Sequence, residues 1–90
     1  VRTKVFHAVT PTFGFGPTPS FPDEYALVAE VETDDADRAW HLTQHIESSW
    51  LDNDGVHPEP GQHRSSAVGD VMVTPDGKRW LCENIGWSEF

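Results

Sequence analysis

The sequence predicts an α+β domain of order β-β-α-β-β: a four-stranded, mostly antiparallel sheet with one helix packed on one face. Three stretches carry that expectation. "YALVAEVE", residues 25–32, alternates in the way of a strand with one packed face. "TDDADRAWHLTQHIESSW", residues 33–50, spaces its apolar residues by three and four. "TPDG", residues 74–77, is a turn set between two strand-like runs.

Taken in order, "KVFHAV" at residues 4–9 is rich in β-formers and lacks breakers, so it reads as the first strand. Phe6 and Ala8 share a face with Lys4, and Val5, His7 and Val9 take the other. Residues 10–24 hold four prolines and two glycines, which exclude helix. Phe13, Phe15 and Phe21 interrupt this loop. They either fold back on the core or form an aromatic hook that a partner covers. In the second strand Tyr25, Leu27, Ala29 and Val31 are expected on one face.

The helix starts behind Thr33 or Asp34 as cap, with further acids in its first turn. Ala39, Leu42, Thr43, Ile46 and Trp50 form its apolar stripe, so about four turns ending near Trp50 are expected. "LDNDG" supplies the stop, with Gly55 free to take a positive φ. Residues 56–66 read as a mobile Pro/Gly-rich connection. The closing hairpin pairs residues 68–73 with 79–85. Its Pro presets φ and its Gly takes the left-handed position. Trp87 and Phe90 are expected to tuck the tail against the sheet.

Ninety residues fit a single domain, 1–90, with one modest core. No apolar run approaches the roughly 20 residues of a membrane span, and no charged start leads into an apolar stretch like that of a signal peptide. Cys82 is the only cysteine, so no internal disulfide can form. A reducing, cytoplasmic setting is the expectation. The net charge is −9, and residues 23–54 carry ten carboxylates against one base, Arg38. Such a surface repels nucleic-acid phosphates and anionic membranes.

The residues that could carry chemistry are few. His41 and His45 lie one helical turn apart, with Asp37 a turn earlier, and such a triplet can ligate a metal; His57 and His63 could add to it. Exposed helix histidines explain the same pattern. Cys82 alternates with Trp80, which argues burial and an inert thiol. Ser65 and Ser66 precede a strand without a Gly-rich phosphate cradle, and Gly14 and Gly16 lack the rest of a dinucleotide motif. Asp70 is expected to pair with Arg64 or Arg79. No complete catalytic set is legible, and no cofactor or metal is expected.

Residues 64–90, "RSSAVGDVMVTPDGKRWLCENIGWSEF", resemble the close of the YodL-like family of small domains. That family tends to end in a Ser-x-Ser-Val-Gly-Asp-Val strand, a Gly turn, an aromatic–x–polar strand and a final Gly-aromatic. The matching positions are Ser65, Ser66, Val68, Gly69, Asp70, Val71, Gly77, Trp80, Gly86 and Trp87. Ser-Ala-Val is a small departure from the usual spacing. "LTQHIESSWLDNDGV" is similar, more loosely, to the helix and turn of related phage and mobile-element proteins. The resemblance implies an accessory binding module and no reaction.

The functional expectation is therefore a non-enzymatic acidic accessory protein that binds another protein, with Phe13, Phe15 and Phe21 as contact residues. A nucleic-acid charge mimic and a metal-dependent hydrolase built on Asp37, His41 and His45 are the alternatives. A free sheet edge would let a second copy pair.

Overall fold

The computed structural model describes residues 1–10, 19–44, 49–61 and 63–90. The chain runs β1 (Thr3–Ala8), β2 (Tyr25–Val31), α1 (Ala36–Leu42), a 3-10 turn (Trp50–Asp52), β3 (Val56–Pro58), β4 (Val71–Val73), β5 (Arg79–Cys82) and β6 (Trp87–Glu89). These strands form one sheet in the order β3-β2-β1-β4-β5-β6, and every neighbouring pair is antiparallel. The α+β class and the antiparallel sheet agree with the sequence. The strand count does not: there are six strands, not four.

Both additional strands are short edge strands. β3 lies where a mobile connection was expected. Gly55 takes φ 79° and its carbonyl accepts from the Glu32 N–H at 2.8 Å, which turns the chain back along β2. Val56 then buries opposite Val31, and Pro58 sits at the end of the strand on the sheet's edge. β6 is the tail. Gly86, at φ 75°, closes a turn through the Glu83 N–H to Gly86 carbonyl bond, so Trp87 pairs with Cys82. β5 accordingly stops at Cys82 rather than at Ile85, which is 94% exposed at the hairpin tip. β4 is also shorter than expected. The chain over residues 67–70 is spent on a turn, with the Asp70 N–H on the Ala67 carbonyl.

The helix is seven residues long instead of four turns. Its N-cap is Asp35, one position beyond the expected caps, and its carboxylate accepts from the Asp37 N–H. Thr43 ends it: the N–H bonds the Trp40 carbonyl and the hydroxyl turns back to the Ala39 carbonyl at 2.9 Å. Ile46 and His45 of the predicted helix lie outside the described residues. Trp50 belongs instead to the 3-10 turn, where its indole is fully buried and donates to the Arg64 carbonyl at 2.9 Å.

A bulge decides which residues make the core. β1 pairs Val5 with Ala29 and Phe6 with Leu27, so Val28 is an extra residue on β2. The extra residue reverses the alternation. Tyr25 therefore packs on the sheet face opposite Ala29 and Val31, instead of sharing theirs. On the helix side Val5, Val28, Ala29, Val31, Ala39, Trp50, Val56 and Met72 are buried together. α1 lies across β1 and β4. On the other side Ala8, Tyr25 and Val71 are covered by Phe6, Phe21, Val73 and Leu81. The Arg79 guanidinium stands 5.4 Å from the Phe21 ring and 4.8 Å from the Phe90 ring. No helix among the described residues is long and apolar enough to cross a membrane.

Trp50 is the largest fully buried side chain. Trp50→Ala is expected to lower the unfolding free energy by about 3–5 kcal/mol, a large share of what a small domain has. Urea denaturation followed by circular dichroism checks this.

Candidate functional site

Two groupings of polar side chains stand out. The first is buried between β1 and the segment leading into β4. Asp70, 1% exposed, accepts four bonds. They come from the Ala8 N–H at 2.9 Å, the Ala67 N–H at 2.7 Å, and Arg64 Nη1 and Nη2 at 2.7 and 2.8 Å. The arginine is thus Arg64. Arg79, the other candidate, is held over the aromatic rings and donates to the Phe90 carbonyl. Arg64 also reaches the Ala8 and Ser65 carbonyls.

Beside this pair lie His7, Ser66 and Thr43, all buried. His7 Nε2 is 2.9 Å from Ser66 Oγ, and Ser66 Oγ is 2.6 Å from Thr43 Oγ1. The proton order follows from the end of the chain. The Ala39 carbonyl can only accept, so the Thr43 hydroxyl donates to it. Ser66 then donates to Thr43, and His7 Nε2–H donates to Ser66. Burial pushes the His7 pKa down to about 4, against the raising effect of Asp70 and with Arg64 and His63 adding to the fall. The ring is neutral at pH 7. Its 3.9 Å approach to Asp70 is therefore not an ion pair there.

A serine, a histidine and an aspartate do meet here, but not as a nucleophilic set. Ser66 and Asp70 both face the same ring nitrogen. A histidine base needs its two nitrogens divided between nucleophile and acid. The hydroxyl proton of Ser66 points toward Thr43, and all three groups are shut away from solvent. The arrangement fastens β1, α1 and residues 64–70 to one another. Tyr25 Oη adds a bond to the Gly69 carbonyl, and Gln44 one to that of Ser66.

The remaining sequence candidates are dispersed. Asp37 Oδ2 and His41 Nε2 approach to 3.4 Å, both well exposed, while His45 lies outside the described residues. His57 donates to Glu32 at 2.7 Å. His63 stacks on Trp50 and donates to the Glu59 carbonyl. Among the described residues no three His, Cys, Asp or Glu side chains stand together as a metal site. Cys82 is buried as expected, and burial, helped by nearby carboxylates, pushes its thiol up to about 11. Phe13, Phe15, Gly14 and Gly16 lie outside the described residues. Phe21 is half-buried, edge-on to Phe6 at 5.0 Å and to Phe90 at 5.9 Å.

The second grouping was not foreseen. Asp34, Asp35, Ala36 and Asp37, at the start of α1, face Thr74 and Asp76 of the hairpin turn and the indoles of Trp80 and Trp87 across an open cavity of about 410 Å³. That volume is in the range of small-ligand sites. The walls are tied. Trp80 Nε1 donates to Thr74 Oγ1 at 3.1 Å, and the Thr74 hydroxyl donates to Asp76 at 2.6 Å. Trp87 Nε1 donates to Asp37 at 3.4 Å. The Thr74 hydroxyl, with the Lys78 N–H, holds the Asp76 carboxyl below its ordinary range. Among the described residues no Lys or Arg forms an ion pair with any of these acids.

Each residue has a local reason to be where it is. Asp35 caps the helix, Asp37 sits in its first turn, Asp76 closes the turn, and Trp80 lies opposite Met72 in the sheet. Only packing α1 across the sheet brings them to one space. The signal in the sequence was slight: two tryptophans in a short terminal hairpin beside an acidic helix start. No protein-family model, curated protein or solved structure matches this chain.

Two outcomes test the buried grouping. Asp70→Asn leaves Arg64 without its partner charge and is expected to cost about 3–5 kcal/mol in urea titration. His7 binds its proton more readily unfolded, near 6.5, than folded, near 4. Its contribution is therefore complete above the unfolded value and is lost as pH falls toward 4. Relative to His7→Gln, the protein is expected to lose about 2 kcal/mol between pH 7 and pH 5. Urea midpoints at the two pH values measure it.

Proposed function

We propose that this chain is a non-enzymatic protein-binding module whose partner presents a basic segment to the cavity between α1 and the closing hairpin. The observation that carries this reading is the pairing of aromatic walls with acids that, among the described residues, form no ion pair with a lysine or arginine. Indole faces attract cations, and unneutralised carboxylates draw them by charge. The −9 net charge extends the attraction beyond the cavity and favours rapid encounter with a basic partner.

This reading moves the contact surface away from the aromatic loop. Phe21 is engaged with Phe6, Tyr25 and Phe90, and the cavity is the better-built place for a partner. The likeness of residues 64–90 to YodL-like accessory domains leans the same way, toward binding rather than turnover.

The expected behaviour is saturable binding of a short Lys/Arg-rich peptide, followed by tryptophan fluorescence, and none of its Glu-rich counterpart. Raising salt from about 0.05 M to about 0.5 M weakens it through screening. Asp34→Asn combined with Asp35→Asn lowers affinity at least tenfold. Asparagine still caps the helix, so the fold is kept. Glu59→Gln, outside the cavity, leaves binding unchanged. Equal affinity in both variants would refute the proposal.

A further inference from the structure

The cavity's donors and acceptors are specific enough to name the cation, granted the reading above that it receives a basic segment. We infer that it takes the guanidinium group of an arginine side chain on the partner, in preference to a lysine ammonium or an alkylated ammonium.

Three observations point to a guanidinium. The first is the division of labour at the indoles. Both N–H edges are already occupied, Trp80 with Thr74 and Trp87 with Asp37. The rings are thereby fixed and have no donor left to give, so they offer apolar surface and π-electron density. A planar, weakly hydrated cation stacks on such surfaces better than a compact, strongly hydrated ammonium.

The second is the set of oxygens left over. Asp35 uses Oδ1 for its cap and Asp76 uses Oδ1 for the Thr74 hydroxyl and the Lys78 N–H. Among the described residues no other residue donates a hydrogen bond to the second oxygen of either, or to the Asp34 carboxylate. These acceptors are held on separate elements, the helix start and the hairpin turn. Filling acceptors on two sides at once calls for a rigid fork of several N–H donors, which guanidinium has. A lysine ammonium is a point donor, and a quaternary ammonium donates nothing.

The third is within the molecule itself. On the opposite face of the sheet Arg79 lies over Phe21 and Phe90 while its Nε–H donates to the Phe90 carbonyl at 3.2 Å. A guanidinium that stacks on rings and donates from its edge is already accommodated on this sheet. The cavity offers the same combination, with carboxylates in place of the carbonyl and no arginine of its own.

The test uses the whole chain and four probes: a short peptide with one central arginine, its lysine twin, its citrulline twin, and tetramethylammonium. Calorimetric titration is expected to show the arginine peptide binding at least tenfold tighter than the lysine peptide, with the citrulline peptide and tetramethylammonium far weaker. Trp87→Leu is expected to remove most of that preference, and Trp87→Phe to restore part of it. If Trp87→Leu does not fold, Trp87→Phe and the asparagine double variant still read the two contributions separately. Equal binding of the arginine and lysine peptides overturns the guanidinium assignment and leaves the basic-segment reading standing. Preferred binding of tetramethylammonium overturns the assignment in favour of an alkylated ammonium. Binding of no cationic probe overturns both.

Discussion

The fold depends on where the carboxylate of Asp70 is satisfied. A charge that is 1% exposed is tolerable only when donors surround it, and here they come from three places. Arg64 brings the opposite charge, Ala8 brings the end of β1, and Ala67 brings the turn before β4. β1 and β4 are the central neighbours of the sheet. One side chain thereby fixes how the second half of the chain docks on the first. The paired and hydrogen-bonded charge adds little net stability over an apolar core, but it leaves few alternative dockings.

From that anchor the buried hydroxyl chain follows. Burial keeps His7 neutral against the pull of Asp70, with the Arg64 charge beside it adding to the effect, and the ring donates to Ser66. Ser66 in turn donates to Thr43, which ends the helix on its own Ala39 carbonyl. The position of α1 over β1 and β4 is thus set by polar contacts as well as by Ala39, Trp40 and Leu42 against the core. The same position determines the cavity. Shifting the helix start would separate Asp34, Asp35 and Asp37 from Trp80, Trp87 and Asp76. A structural network in the interior and a recognition surface at the rim are coupled through one short helix.

The acidity of the chain has a place as well as a magnitude. Several of its acids are neutralised locally: Glu30 by Arg2, Glu32 by a hydrogen bond from His57, Asp70 by Arg64. Those at the cavity form no ion pair with a lysine or arginine among the described residues, although His41 stands 3.4 Å from Asp37. The helix N-terminus and turn geometry explain an aspartate at positions 35, 37 and 76 singly. They do not explain why the acids share a space with two indoles.

Local chemistry in the sequence determined the strands' centres, the Thr74–Gly77 turn, the burial of Cys82 and an arginine partner for Asp70, while the choice of Arg64 over Arg79 came from the tertiary structure. Each of these rests on alternation, turn residues or opposite charge within a few positions. It did not determine the edge strands, because three-residue strands carry too little pattern to stand out from a loop. Nor did it reveal the bulge at Val28, where both neighbours in the sequence remain apolar and only pairing to β1 shows the reversal. The helix end was misread because Ile46 and Trp50 keep helical spacing while Trp50 is drawn into the core by its bond to Arg64. The cavity was invisible for the plainest reason. Its walls come from residues about 40 positions apart, and distance along a chain says nothing about distance in space until long-range packing closes it.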